Sequence, residues 1–307
     1  MQSLIQEFDI SRSRSWKRFW RSTSGRIGLV LTLGLFAIAL LAPILRPAEL
    51  GITPDVVSRL QPPSSTHLLG TDGLGRDLFT LIWYGIRTSL LISLVSVGIG
   101  AIFGLILGLI GGYFRGLIDA LIRWFTEILL AFPSILLAIV ILTIATNPNL
   151  SVSFAGITLF TIRLTSLQTV MLAVGIVQIP IFIRLTRSIV LSLREQDYIQ
   201  AAKAIGATTP QILIKHILPG SLAPIIVQAS LSLGTATLEA AGLGFLGLGA
   251  QPPTPELGTM LADSFRGGYF LTSLWTTLFP GLAITLIVLA FNLLGDGLRD
   301  GFDPRSQ

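Results

Sequence analysis

Of the 307 residues, 51% are hydrophobic and only 12% are charged, and the mean hydropathy is +0.77. A soluble domain carries about 25% charged residues, so this chain cannot cover a water-facing surface and needs a bilayer as its solvent. The lack of cysteine excludes disulfides and thiol chemistry, and the net charge of +5 lies at the edges of apolar runs, where it orients a membrane protein rather than binding nucleic acid.

A spanning helix needs roughly 20 apolar residues. After a basic segment at 1–26, the first such run is Ile27–Leu45, within a predicted first transmembrane unit at 27–46. A secretory signal core has only about 7–15 apolar residues; this run is longer, and no small-residue cleavage site follows it. An external segment, 47–87, leads to a core of five helices at 88–296, with a tail at 297–307. The second span is Thr88–Phe114, uncharged and rich in glycine. The third runs from near Asp119 to about Thr146, ended by the turn signal Asn147-Pro148-Asn149. The fourth is Leu164–Ile183, the fifth about Ile217–Leu238 and extending toward Phe245, the sixth about Trp275–Gly295. The predicted fold is all-α, a multi-pass membrane protein with six transmembrane helices. Pro133 and Pro180 should each kink a span.

Lys and Arg set the orientation. Arg12, Arg14, Lys17, Arg18, Arg21, Arg26, Arg115, Arg123, Arg184, Arg187, Arg194, Lys203, Lys215, Arg299 and Arg305 fall on one side, which makes 15 of the 21. That side is the expected cytoplasm, and it holds both termini. Arg46, Arg59, Arg76, Arg87, Arg163 and Arg266 fall outside.

The large cytoplasmic loop, 186–218, carries the most information. Asp197 is a suitable N-cap, and Gln200, Ala201, Ala202, Lys203 and Ala204 favour a short helix. Gly206 suits its stop. Ala207 and Thr208 follow, and Thr209-Pro210 reads as the start of a second short helix. Pro219 marks re-entry into the membrane. Small residues at Ala201, Ala202 and Ala204 would let another surface approach. Two readings stay open on pattern alone: an interfacial helix that closes the loop, or a dock for another protein.

Ala201-Ala202, Gly206 and Leu218-Pro219, at this spacing, resemble the signature of ATP-binding-cassette (ABC) importer permeases that marks the coupling helix. The leading Glu of that signature is Gln200 here, and an expected Ile is His216. Leu69-Gly-Thr-Asp-Gly-Leu-Gly-Arg-Asp77, Gly244-Phe-Leu-Gly-Leu-Gly-Ala-Gln-Pro-Pro-Thr-Pro-Glu256, Gly295-Asp-Gly-Leu-Arg-Asp300 and Asp303-Pro-Arg305 are similar to the C-type permease subunit of dipeptide and oligopeptide transporters. The resemblance covers about Arg18 to Arg305. It implies a type I ABC importer permease fold in a bacterial inner membrane and a peptide solute, with nickel or another small solute as the alternative. It also implies partners: a second homologous permease, two ATPase subunits that bind the ATP and Mg, and an external solute-binding protein. The chain itself should bind membrane lipid, no cofactor and no nucleic acid.

Ionisable residues inside a membrane tend to be functional. Asp119 and Glu127 each lie one turn from Arg123, so ion pairing explains both. Glu239 has no such partner; with Gln178 and Pro180 it is the candidate for the translocation cavity or a subunit interface, against a packed, hydrogen-bonded Glu. Gly98, Gly100, Gly104, Gly108, Gly111 and Gly112 suit close helix contact, within the chain or with a second permease. His67 and His216 lie on opposite sides of the membrane, so they cannot share a metal. No catalytic nucleophile or phosphate-binding loop is present. A secondary transporter is the rival reading, but it calls for coupling carboxylates deep in the bilayer and internal repeats. A structural subunit that transports nothing is a third.

Overall fold

The computed structural model describes residues 16–47, 52–146, 151–154, 157–161 and 164–302. The Asn147–Asn149 turn, Arg12, Arg14, Arg163 and Asp303–Arg305 lie outside the described residues. A helical turn at 16–21 leads into α1 (Thr23–Leu45), followed by α2 (Leu78–Phe114), α3 (Gly116–Ala131) and α4 (Ser134–Ala145). A short antiparallel strand pair, β1 (Ser151–Phe154) and β2 (Ile157–Thr161), accompanies the expected all-α fold. Then come α5 (Ser166–Leu193), α6 (Asp197–Ala204), α7 (Thr209–Phe245), α8 (Leu257–Arg266), α9 (Tyr269–Thr272) and α10 (Trp275–Phe302).

Five of these helices, α1, α2, α5, α7 and α10, are long and apolar enough to cross a membrane, and α3 with α4 makes a sixth if the bent pair counts as one span. The third predicted span is therefore not one rod. It breaks at Phe132-Pro133 with a bend of 99°. Phe132 is extended (φ −95°, ψ 140°), as the residue before a proline prefers. Pro180, by contrast, sits inside a continuous α5.

The second span begins at Leu78 rather than Thr88. Arg87 interrupts the charge-free run but not the helix, whose start is fixed by Asp77: its carboxylate accepts from the Thr80 N–H at 2.9 Å. The fifth span also starts early. The second short helix expected in the loop is the first turns of α7 itself, carried into the span through a π-helical turn at Leu213–Ile217. Pro219 lies inside this continuous helix, directly after the π-helical turn, rather than at a break where the chain re-enters the membrane.

α2 and α5 make the most extensive helix contact, and its cause is a glycine at every fourth position. A Cβ added at Gly100 would lie 2.6 Å from Gln178 Cβ, at Gly108 2.5 Å from Thr186 Cβ and at Gly112 2.7 Å from Val190 Cβ, while one at Gly104 would land on Phe182 Cβ. Side chains four apart on one helix thus fill the grooves of the other. The glycine stripe works within the chain. Gly98 faces open space, and Gly111 faces Ile122 and Asp119 of α3. A second close crossing, Gly25 and Gly28 against Gly297 and Leu294, joins α1 to α10, and the Ser22 hydroxyl donates to Asp300 at 3.0 Å. The start of α1 and the end of α10 therefore share one face, termed here the terminal face.

Two apolar cores result. Leu35, Leu78, Leu81, Leu257, Ile287 and Phe291 join α1, α2, α8 and α10; Ile92, Leu142, Val174, Phe182, Ala236 and Leu243 join α2, α4, α5 and α7. Replacing Gly104 with Leu should lower stability by about 1–3 kcal/mol or prevent folding, because the seam has no room. Gly98→Leu, in open space, should be neutral or stabilising. Thermal unfolding of the purified protein in detergent separates the two.

Candidate functional site

On the terminal face, α6 and the turn after it form a knuckle. Gln196, not Asp197, is the N-cap residue: it is extended, and its carbonyl accepts from Ile199 and Gln200. Asp197 takes the first helical position, where its charge suits the helix dipole but caps nothing. The helix stops at Gly206, at φ +86°, in a left-handed conformation that glycine adopts freely. The Gly206 N–H donates to Lys203 O and the Ala207 N–H to Ala202 O, both at 3.0 Å, the paired bonds of a Schellman stop. Thr208, not Thr209, is the N-cap of the next helix. Its N–H donates to Gln211 Oε1 at 3.0 Å, and Pro210 follows in the first turn.

The knuckle has its own small core of Val190, Ile199, Ile212 and Ile217. Ala202 faces that core and is only 7% exposed. It was expected on the approachable surface; the helical period turns it inward with Ile199. Ala201, Ala204, Gly206 and Thr208 are exposed, Tyr198 is 48% exposed, and Ile205 at the tip is 87% exposed. The turn between α2 and α3 braces the base. Arg194 Nη1 donates to Tyr113 O at 2.8 Å, and Arg115 pairs with Glu195 at 2.7 Å. Lys203 Nζ stands 5.8 Å from the Tyr113 ring centroid, and Gln200 Nε2 donates to Arg194 O at 3.0 Å.

Asp119 ties the same turn to α5. The expected pair with Arg123 is present at 3.3 Å, but Arg187 is the principal partner, donating from Nε at 2.5 Å and from Nη2 at 2.8 Å. This two-pronged contact is stronger and more directional than a single pair. Glu127 does not pair with Arg123, which turns back to Asp119; it stands exposed, with no ion pair among the described residues.

Deeper between the spans, Gln178 of α5 donates from Nε2 to Glu239 Oε2 of α7 at 3.1 Å. Ser134, the first residue of α4, lies alongside the same carboxyl. Gln178 is 1% exposed and its Oε1 has no hydrogen-bond partner, whereas Glu239 is half-buried. Two residues on, Pro180 has no N–H to offer the carbonyl of Ile176. The structure sets Gln178 and Ser134 against Glu239, and composition alone could not single out Ser134; Pro180 lies two residues further along α5.

The glycine-rich motifs of the opposite face fold into a cap. Asp72 accepts from the N–H groups of Leu74 (2.8 Å) and Arg76 (2.9 Å) and pairs with the Arg76 side chain at 2.6 Å. His67 pairs with Asp77 at 3.2 Å, and Trp275 Nε1 donates to Thr71 O at 3.1 Å. The second motif ends at Glu256, 1% exposed, which accepts from Gly258 N–H and Thr259 N–H at 2.8 Å each. Gly244 and Gly249 leave room for that carboxyl. Burial outweighs the two hydrogen bonds and pushes the Glu256 carboxyl up to about 7. Among the described residues no cluster of His, Cys, Asp and Glu could hold a metal.

Residues 100–307 match the family model described as the inner membrane component of binding-protein-dependent transport systems. This chain belongs to that family. A dipeptide transport system permease protein from Alkalihalophilus pseudofirmus is 48% identical, over 95% of this chain and 90% of that protein. A glutathione transport system permease protein from Pectobacterium atrosepticum is 41% identical, over 99% and 97%. Among solved structures, the inward-facing MetNI methionine ABC transporter matches with a TM-score of 0.52 at 21% identity, over 71% of this chain and 96% of that one. The chain is thus a multi-pass inner-membrane transport component with the ABC permease fold.

For this permease the Asp119–Arg187 contact predicts a stability effect. Asp119→Ala should cost about 2–3 kcal/mol, seen as a lower melting temperature, and an Asp119→Arg, Arg187→Asp swap should recover part of it. Glu256 predicts a pH effect. The unfolded carboxyl titrates near 4.5 and the folded one near 7, so between these values only the folded state keeps the proton. The stabilisation is full below about 4.5 and is lost as pH rises through 7, by up to about 3 kcal/mol. The melting temperature should fall over that window, and Glu256→Gln should flatten the profile.

Proposed function

We propose that this chain is the permease subunit of an ATP-driven, binding-protein-dependent importer and forms half of the path for di- or oligopeptides. The names of its relatives, dipeptide and glutathione permeases, support the solute class. Two ATPase subunits, which bind the ATP and Mg, drive it. A second homologous permease completes the path, and an external solute-binding protein delivers the peptide. The terminal face lies in the cytoplasm, as the excess of Lys and Arg on that side favours.

The observation that carries this reading is the knuckle. It is rigid where it meets the spans and bare where it leaves them. Ion pairs, a private core and a Schellman stop fix the base; Tyr198, Ala201, Ala204 and Ile205 are left to water. An exposed Ile at a rigid tip fits a knob that enters a cleft of another protein. ATP closure of the ATPases pushes this knob. α7 runs without a break from the knuckle into the span, and α5 enters it from the other side, so the push reaches both helices at once. The result is alternation between inward-open and outward-open states, with ATP favouring one of them. The half-buried Glu239, with Gln178 and Ser134, lines the path, since a carboxyl facing lipid would be costly.

Ala202→Arg would disturb the buried core and so could not test docking. Ala201→Arg and Ile205→Glu are exposed changes. Each should cut peptide uptake at least about tenfold and weaken ATPase co-purification, while membrane insertion and melting temperature stay unchanged, because the cost falls on the interface alone. Normal uptake by both variants would overturn the docking role.

A further inference from the structure

Glu239 already accepts from Gln178 and Ser134, but the amide oxygen of Gln178 itself has no donor. Gln178 Nε2 is committed to Glu239 Oε2 at 3.1 Å, which leaves Gln178 Oε1 pointing away from its own amide nitrogen, buried and unpaired. Turning the amide over would set its oxygen against the carboxylate, so the orientation is fixed while Glu239 is charged. A buried acceptor without a partner is unfavourable and calls for an explanation in the cycle of the protein. The Ser134 hydroxyl donates to the Glu239 carboxyl and keeps its lone pairs free, and Glu239 is only partly buried. Carboxylate, amide oxygen and hydroxyl together suit one kind of guest: a compact cation with several N–H donors.

We propose that Glu239, Gln178 and Ser134 form a transient subsite for the protonated α-amino group of the peptide in transit. An ammonium has three donors and one charge, matching one carboxylate and two neutral acceptors. The geometry also supplies a release. Ser134 opens α4 directly after the 99° break, Gln178 lies on α5 in the glycine seam, and Glu239 lies on α7. The three acceptors sit on three helices, so any shift of α7 relative to α5 and α4 dismantles the site. Binding is strong in one state and weak in the other, as a path that must let its cargo leave requires.

This inference rests on the reading that this face lines the path, and the experiment separates the two. The full transporter, with both permeases and both ATPases, is reconstituted in proteoliposomes with its binding protein and a radiolabelled dipeptide. Glu239→Gln should lower the maximal uptake rate about tenfold, while half-saturation, which the binding protein sets, stays unchanged and the four subunits remain assembled. Glu239→Asp should retain most of the rate. Because the chain has no cysteine, a single Thr235→Cys, one turn away on the exposed side of α7, reports access to a membrane-impermeant thiol reagent. No labelling in either nucleotide state would sink the path reading itself. Labelling together with wild-type uptake by Glu239→Gln would overturn the ammonium subsite alone. Loss of the permease pair in Glu239→Gln would assign the carboxylate to a cationic side chain of the neighbouring subunit and overturn it as well.

Discussion

Gly100, Gly104, Gly108 and Gly112 recur at every fourth position of α2, and Gln178, Phe182, Thr186 and Val190 of α5 occupy the space their side chains would need. In lipid, apolar side chains gain little by leaving one apolar surrounding for another, so two helices stay together through close packing. This seam supplies it, and much of the remaining structure takes its place from α5. Gln178 in the seam reaches α7 through Glu239. Arg187, next to the seam residue Thr186, holds α3 through Asp119. Val190, the last seam residue, opens the core of the knuckle.

α5 therefore serves as a lever with attachments at three heights. Its terminal end is braced to the α2–α3 turn by Arg194 and Glu195, its lower third to α3 by a two-pronged ion pair, and its middle to α7 by a single hydrogen bond. The strengths are graded: charged contacts near the knuckle, one amide–carboxyl bond deeper in. A force applied at the knuckle meets stiff joints first and a weak one last. The contact most easily remade between states is then the Gln178–Glu239 bond, at the height proposed for the path.

The sequence carried the spans and the knuckle because their causes are local. Apolar runs of about 20 residues, Gly206 at a helix stop and Pro133 at a break act within a few residues. What it could not carry was any feature decided by distant partners. Arg187 was counted only as a flanking positive charge, since its acceptor lies on another helix. Arg123 was divided between Asp119 and Glu127, yet geometry gave it to one. Ala202 was grouped with Ala201 as small, although the turn of the helix buries one and exposes the other. Periodicity could have found this: Ala202 lies three residues after Ile199, on the same face of α6. Glu256 had no local signal beyond its place after a run of prolines, because its burial comes from Gly244 and Gly249 folding back over it.

The two glycine-rich motifs of the opposite face illustrate the same division. Read as a string, the first is glycine-rich but lacks the Gly-Lys-Ser/Thr of a phosphate-binding loop. In the folded chain the Asp72 carboxylate already takes the N–H groups of Leu74 and Arg76 in the first motif, and Glu256, which ends the second, takes those of Gly258 and Thr259 in α8. A phosphate cradle needs free N–H donors; these loops supply their own anion. Their work is to hold the start of α2, through Asp77, and the start of α8, through Glu256, at fixed points of the cap. A lever needs a fixed end, and these carboxylates provide it on the face away from the knuckle.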